Sequence, residues 1–184
     1  GPSLLALLET LPLPNTASDE PLRFPVQWVS RPHQDFRGLA GTLVSGQVHP
    51  GDEIIVLPSG KRAMVDRIVT ADGDRAVASA GEAITLTLDR DLDASRGDVI
   101  VAAQQPCEVS DQFSAHLLWM DDAPLLPGRR YWLKLGSRTV DATVTEIRNR
   151  IDVDTQASVA ARELQLNEVA VCHLSTQAPL PFTP

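Results

Sequence analysis

Apolar and polar residues alternate over many short stretches of the chain. Residues 84–88 alternate with a period of two, which predicts a strand with the isoleucine and both leucines facing inward and both threonines facing outward. Short apolar and β-branched runs at 54–57 and 99–101 predict further strands. Turn sequences recur between such runs, and Pro50-Gly51 fits a type II turn. Short strands with frequent turns indicate a closed β-barrel, which leaves few strand edges exposed.

A second set of strand-like runs follows a joint at Gln104-Gln105-Pro106. These runs lie at 114–120, 130–135, 140–144 and 169–174, and Pro127-Gly128 marks a turn before the second of them. We therefore expect an all-β protein of two tandem closed β-barrels. Residues 22–104 are predicted to form the first barrel and residues 105–184 the second.

The first 21 residues differ from this pattern. Ser3 can cap a short helix over residues 4–11, whose leucines lie on more than one face. Such a short helix is not stable by itself, so we expect it to pack against a large neighbour. Without that neighbour, we expect the N-terminus to self-associate or to be disordered. Residues 12–21, which are rich in proline, are predicted to form an extended linker.

Composition limits the functions that the chain can perform. With 16 basic and 24 acidic residues the net charge is −8, so the chain as a whole repels phosphate backbones. The only cysteines, Cys107 and Cys172, form no metal-binding motif. We expect two reduced, buried thiols, with a disulfide as the alternative. No run approaches the roughly 18 apolar residues of a membrane span, and no signal peptide is predicted.

Three short motifs resemble nucleotide-binding signatures, and we interpret all three as coincidental. Gly60-Lys61 is followed by arginine rather than serine or threonine, so it predicts a hairpin turn instead of a phosphate loop. Residues 35–38 match Asp-x-x-Gly, but no phosphate loop precedes them. Residues 149–152 resemble the guanine-reading Asn-Lys-x-Asp motif without its lysine. We expect no site for GTP, ATP or sulfate in this chain.

No group of residues points to catalysis or to metal binding. The four histidines (His33, His49, His116 and His173) lack the spacing of metal ligands, and the last two are predicted to be structural residues of strands. The sequence contains no Gly-x-Ser-x-Gly nucleophile motif. The acidic runs at 89–93 and 121–122 are typical of solvated loops. We predict no catalytic, cofactor-binding or metal-binding residue.

One predicted loop, residues 30–37, has a composition suited to binding. It combines basic, titratable and aromatic side chains, and loops on rigid barrels commonly carry binding functions. An ordinary polar hairpin connection is the alternative interpretation. The candidate partner-contact residues are Arg31, His33, Asp35, Phe36 and Arg37.

Motifs along nearly the whole chain resemble one family. The strand-turn-strand pattern of residues 35–57 is similar to the second domain of translation-factor GTPases, and residues 1–9 resemble the last helix of an elongation-factor-Tu-like GTPase domain. Motifs more specific to the sulfate-activating branch lie at 23–29, 31–32, 35–41, 117–120, 128–131, 150–155 and 166–169. The chain resembles the part of the GTP-dependent sulfate adenylyltransferase large subunit (CysN/NodQ type) that follows the GTPase domain.

The resemblance implies a role in sulfate activation. Enzymes of this family form adenosine 5′-phosphosulfate and pyrophosphate from ATP and sulfate, with GTP hydrolysis driving the reaction. It implies barrels like elongation factor Tu domains 2 and 3, with residues 1–21 as the end of the GTPase domain and a linker. GTP and Mg²⁺ would then be bound by a GTPase domain outside this sequence, and this region would hold no cofactor.

The partners implied by the resemblance are the protein's own GTPase domain and a separate catalytic subunit. The two barrels would brace the first and dock the second, in the cytoplasm and without a membrane or nucleic acid. One alternative is a translation-factor-like module that contacts tRNA, against which the net charge of −8 argues. Another is an independent enzyme, which no cluster of acid, base, nucleophile or metal ligand in the sequence supports.

Overall fold

The computed structural model describes residues 3–11, 16–34 and 36–183, which form one short helix and fifteen strands. The helix is α1 (Leu4–Thr10), and Thr16–Ser18 forms a 3₁₀ turn. The strands are β1 (Arg23–Pro25), β2 (Trp28–Ser30), β3 (Gly38–Thr42), β4 (Gln47–Val48), β5 (Glu53–Leu57), β6 (Lys61–Thr70), β7 (Gly73–Arg75), β8 (Ala78–Ser79), β9 (Ala83–Leu88), β10 (Val99–Ala102), β11 (Glu108–Leu118), β12 (Arg130–Leu135), β13 (Arg138–Ile151), β14 (Ser158–Val159) and β15 (Val169–Phe182).

Eight of the first ten strands form a curved antiparallel sheet whose two ends are joined by one chain segment. The strand order is β1-β10-β5-β6-β9-β3-β2, with β7 paired to β6, while β4 and β8 form a separate two-stranded sheet. Segment 23–30 contains both β1, which pairs with β10, and β2, which pairs with β3. Because β1 and β2 are consecutive, the sheet closes on itself as a barrel.

The barrel interior is filled by aliphatic side chains and one phenylalanine. The largest fully buried ones are Phe24, Leu43, Ile54, Ile68, Leu86 and Ile100. β5 and β10 are apolar on both faces, because alternate residues form a second buried cluster outside the barrel. That cluster contains Ile55, Leu57 and Val101, with Val99, Ala103 and Cys107 packed against them.

Glycines allow two close approaches at the rim of this barrel. Gly46 has a φ of +79°, and its amide donates to the carbonyl of Ala17 over 2.6 Å. Gly41 has an ordinary backbone conformation, but a Cβ atom there would collide with the carbonyl oxygen of Pro25 and contact the Phe24 ring. Gly46 and Gly41 are therefore needed at these positions for two different physical reasons.

The last five strands form a separate antiparallel sheet. Its order is β11-β15-β13-β12, with β14 paired to β13. β13 and β15 contain 14 residues each, and register shifts after Val144 and Ile147 bend the sheet around its core. A bridge between Leu125 and Leu164 adds a further pairing over that core. Its buried members are Leu125, Val144, Ile147, Leu164, Ala170, Cys172 and Leu174.

The turn between β12 and β13 fastens this second sheet to the first barrel. The Ser137 hydroxyl donates to the carbonyl oxygen of Val26 over 2.8 Å. Arg138 Nη1 lies 3.5 Å from Asp98 Oδ1, and only 24% and 12% of these two side chains is exposed. A partly buried ion pair beside a direct hydrogen bond fixes the turn in one position on the barrel. We call these contacts the seam.

The helix α1 is confirmed, and it lies apart from both sheets. Ser3 caps it by accepting a hydrogen bond from the Ala6 amide over 3.2 Å. None of its residues is buried, and its leucines are between 47% and 72% exposed. Of the predicted linker, residues 12–15 lie outside the described part of the chain. The helix therefore presents an apolar surface that nothing in the described residues covers.

Three details differ from, or refine, the sequence expectations. Thr87 was predicted to face outward, but it is buried, and its hydroxyl donates to Asp66 Oδ2 over 3.2 Å. Both thiols are free, yet only Cys172 is fully buried while Cys107 is partly exposed. Burial raises the pKa of both thiols. Among the described residues, no helix has the length and apolar character needed to cross a membrane.

Candidate partner-contact site

The candidate loop connects β2 to β3 at one end of the first barrel. Arg31 and His33 are exposed, whereas Phe36 and Arg37 are half-buried. The structure thus brings four of the five predicted residues into one loop, while Asp35 lies outside the described residues. The loop follows a three-residue strand and precedes a five-residue strand, so both of its ends are held by backbone pairing.

Arg37 ties the loop to the segment that follows β9. Its guanidinium forms an ion pair with Asp91, and Nη2 donates to the carbonyl oxygen of Ala94 over 2.8 Å. Only 19% of its side chain is exposed. Arg31 reaches the same carboxylate at 3.5 Å, but 56% of its side chain is exposed. Arg37 therefore positions the loop, and Arg31 is the basic residue available to a partner.

Phe36 and His33 form the aromatic part of the loop. Their ring centroids lie 5.9 Å apart, and the Phe36 amide donates to the His33 carbonyl over 3.3 Å. Gly38 lies directly beneath the Phe36 ring, since a Cβ at this position would meet both that ring and the Thr85 methyl group. The absence of a side chain at Gly38 lets the loop fold onto the barrel.

The loop forms one wall of an open groove of about 680 Å³. The opposite wall comes from β6 and from the end of β9 with the residues after it. The groove is lined by Arg31, His33, Gln34, Phe36, Arg37, Leu39, Asp66, Arg67, Thr87, Leu88, Asp89, Arg90, Asp91 and Leu92. Its walls are mostly charged, and its floor contains three leucines.

Two further ion pairs hold the charges on the far wall of the groove. Arg67 donates to Asp74 through Nε at 2.6 Å and Nη2 at 2.9 Å, which raises the pKa of the arginine and lowers that of the carboxyl group. Arg90 donates to Asp89 over 2.8 Å. That bond, together with the Met64 amide, lowers the pKa of Asp89. The carboxylates therefore stay ionised and paired at neutral pH.

Most of the charged groups that line this groove are paired with one another or with a neighbouring residue. Within the described ranges, no group of three or more histidine, cysteine or acidic residues could hold a metal ion. Arg37, Arg67 and Arg90 are each paired with a carboxylate, those of Asp91, Asp74 and Asp89 respectively. Asp91 was not predicted from the sequence as part of the site. The acidic run at 89–93 marked it as charged, but only the fold places it beside Arg37.

The resemblances to nucleotide-binding motifs have structural explanations in the described part of the chain. Gly60 has a φ of +72° in the turn between β5 and β6, as expected for a hairpin. Residues 149–151 lie inside β13, and Asp152 caps the following turn by accepting bonds from Asp154 and Thr155. His116 and His173 lie in β11 and β15, as predicted.

Known proteins are similar to this chain over nearly its whole length. The chain is 52% identical over its whole length to the bifunctional enzyme CysN/CysC of Xylella fastidiosa. It is 45% identical over 98% of its length to sulfate adenylyltransferase subunit 1 of Laribacter hongkongensis. Over its whole length the chain is therefore homologous to part of the CysN/NodQ and sulfate adenylyltransferase subunit 1 proteins. It spans 30% of the length of the first CysN/NodQ relative and 38% of the second.

A family model and a solved structure are similar to this chain in fold. Residues 112–184 match the family described as GTP-eEF1A C-terminal domain-like. A solved structure of Sup35 complexed with GDP aligns with 99% of the chain and 45% of its own length, with a TM-score of 0.82 at 18% identity. The prediction of tandem barrels of the elongation-factor-Tu domain 2 and 3 type, with a short N-terminal helix, is confirmed.

Proposed function

We propose that this chain is the non-catalytic β-barrel region of the GTPase subunit of a sulfate adenylyltransferase. In this proposal it braces the GTPase domain and docks the catalytic subunit, which forms adenosine 5′-phosphosulfate from ATP and sulfate in the cytoplasm. The observation that carries the proposal is homology to CysN/NodQ proteins over the whole of this chain.

The seam supports the bracing role. Ser137 and Arg138 fix the second sheet on the first barrel through Val26 and Asp98. A brace must transmit movement without deforming, and a hydrogen bond beside a partly buried ion pair resists sliding between the two bodies. Loss of the γ-phosphate in a neighbouring GTPase domain would then move both barrels together.

The exposed leucines of α1 support a neighbour on the N-terminal side. Leu4, Leu5 and Leu8 are more than half exposed, which is unfavourable for an isolated helix in water. A GTPase domain that supplies the missing packing surface would bind GTP and Mg²⁺ itself. In this proposal, residues 1–21 belong to that domain and its linker, residues 22–104 to the first barrel and residues 105–184 to the second.

The groove beside residues 31–37 supports a contact with a protein partner. Its loop is held in place internally by Arg37, so binding would not have to order it. Arg31, His33 and Phe36 then present a charged group and an aromatic pair to solvent. Preformed loops of this kind bind with little loss of conformational entropy.

Calorimetric titration tests this function directly. The purified chain is titrated with the catalytic subunit, and separately with GDP, GTP and ATP. We expect a saturable complex with the catalytic subunit and no heat of binding with any nucleotide. Failure to bind the catalytic subunit at high micromolar concentration would contradict the docking role, and stoichiometric nucleotide binding would contradict the non-catalytic role.

A further inference from the structure

One end of the second sheet carries an apolar surface that the proposed groove does not include. Leu118, Val169 and Ile151 are paired in register across β11, β15 and β13. Leu117 and Ala170, the neighbours of the first two along their strands, face the core, so Leu118 and Val169 lie on the outer face of the sheet. Leu118 is 55% exposed.

Two loops extend this apolar row beyond the ends of the strands. The Trp119 amide donates to the Glu168 carbonyl over 3.0 Å, and the Asn167 amide donates to the Trp119 carbonyl over 2.7 Å. These bonds bring Met120 and Leu166 to the same end of the sheet, where they are 74% and 44% exposed. We call Leu118, Met120, Ile151, Leu166 and Val169 the end patch.

The rim of the end patch is acidic. Segments 118–122, 148–154 and 166–169 contain five carboxylates and two guanidinium groups, which leaves a net charge of −3. Arg150 is already paired with Glu168. The carboxylates of this rim are Asp121, Asp122, Asp152, Asp154 and Glu168. An apolar centre within an acidic border repels phosphate backbones and attracts a surface of opposite charge.

Hydrogen bonds keep two of these carboxylates ionised. The amides of Thr155 and Asp154 lower the pKa of Asp152, and the Gln165 amide lowers the pKa of Glu168, with Arg150 adding to the effect. Asp152 and Glu168 therefore keep their negative charge in the rim at neutral pH. Exposed apolar groups with a charged border are typical of protein interfaces.

We infer that the end patch is a docking surface for a folded protein whose contact face has an apolar centre and a lysine- or arginine-rich border, and that this protein is the catalytic subunit. This inference rests on the proposed docking function. Leu118 and Met120 would form the anchoring apolar contacts. The acidic rim would orient the partner, because charges at the rim of an interface chiefly steer association and fix its register.

The test uses the same calorimetric titration with three variants of the full chain. Met120→Glu places a charge in the apolar centre, and Asp121→Arg with Asp122→Arg reverses the rim. Trp132→Glu is the matched control, because Trp132 is 85% exposed in the same sheet but lies on β12. We expect Met120→Glu and the double reversal each to weaken binding at least tenfold, and the control to change it less than twofold.

The outcomes separate this inference from the proposed function. If the unaltered chain binds the catalytic subunit and Met120→Glu leaves the affinity unchanged, the end patch is not the docking surface, while the docking function stands. If the unaltered chain does not bind, both fail. Saturable binding of tRNA, or of an isolated GTPase domain, that Met120→Glu abolishes would overturn the assignment of the partner. Circular dichroism confirms that each variant is folded.

Discussion

At the scale of single residues, the two arginines of the candidate loop have different roles. Both were predicted from sequence as partner-contact residues, because both are basic and lie in one loop. The structure gives the Arg37 guanidinium internal partners in Asp91 and Ala94, while Arg31 is mostly in solvent. Loss of a half-buried, charge-assisted hydrogen bond costs more than loss of an exposed ion pair.

Arg37→Ala is therefore expected to destabilise the first barrel and to loosen the loop. The free energy of unfolding in urea should fall by about 1–3 kcal/mol, because two acceptors lose their donor. Arg31→Ala, the matched control, should change it by less than about 0.5 kcal/mol. Hydrogen exchange at Phe36 and Gly38 should accelerate only in Arg37→Ala. Equal effects of the two substitutions would show that Arg37 does not position the loop.

Glu168 gives the second sheet a defined dependence on pH. The Gln165 amide donates to it over 2.8 Å and Arg150 pairs with it, so its pKa in the folded chain lies below the unfolded value of about 4.3. A lowered folded pKa adds stability above the unfolded pKa, and that stability is lost as the pH falls through the folded pKa. Glu168→Gln removes this contribution.

The measurement is the difference in melting temperature between the unaltered chain and Glu168→Gln. At pH 7 the unaltered chain should be more stable, by about 1 kcal/mol. At pH 3 the difference should be smaller, because the stability that the lowered folded pKa adds is lost progressively as the pH falls from the unfolded pKa towards the folded one. A difference that stays constant from pH 7 to pH 3 would show that the ionised carboxylate contributes nothing.

At the scale of elements, the strands themselves were easier to predict from the sequence than the strands with which they pair. Residues 130–135 were predicted as a strand, and β12 has the same bounds. The alternation of apolar and polar residues over 84–88 predicted the strand that the structure shows as β9, since a period-two pattern depends only on which face of the strand is buried. Thr87 broke that pattern because a hydroxyl can be buried when an acceptor such as Asp66 lies within reach.

Contacts between distant segments could not be predicted in this way. Closure of the first barrel depends on segment 23–30 pairing with β10 on one side and β3 on the other. The groove depends on Asp91, which is 54 residues from Arg37 in sequence. The end patch requires the register of three strands. A single sequence records local periodicity and turn chemistry, but pairings over such separations are set by the closed sheet as a whole.

Loss of a seam contact would show most directly what holds the two sheets in a fixed mutual orientation. Arg138→Ala removes the ion pair with Asp98 and the side-chain atoms that pack against Gly97. We expect both sheets to stay folded while they lose their fixed mutual orientation, because the seam is separate from either core. Residual dipolar couplings should fit one alignment tensor in the unaltered chain and two in Arg138→Ala.

Lys134→Ala is the control for this experiment, since Lys134 is exposed on β12 and forms no salt bridge in the described residues. It should leave the single alignment tensor unchanged. If Arg138→Ala also keeps one tensor, the seam ion pair is not what holds the two sheets together.

At the scale of the whole molecule, two all-β bodies are joined by the seam and expose three features that we propose for partner recognition. These are the leucines of α1, the groove beside residues 31–37 and the end patch of the second sheet. The net charge of −8 and the acidic rim favour protein partners over nucleic acid. The homologues of the chain are CysN/NodQ proteins and sulfate adenylyltransferase subunit 1.

Sedimentation velocity with two optical signals tests whether the chain docks the catalytic subunit and binds no nucleotide itself. The chain is mixed with the catalytic subunit and with a fluorescent GTP analogue, and the two are followed at separate wavelengths. We expect one boundary that contains chain and catalytic subunit together, while the nucleotide does not sediment with the chain alone. A chain that sediments separately from the catalytic subunit, or that carries the nucleotide by itself, would contradict this expectation.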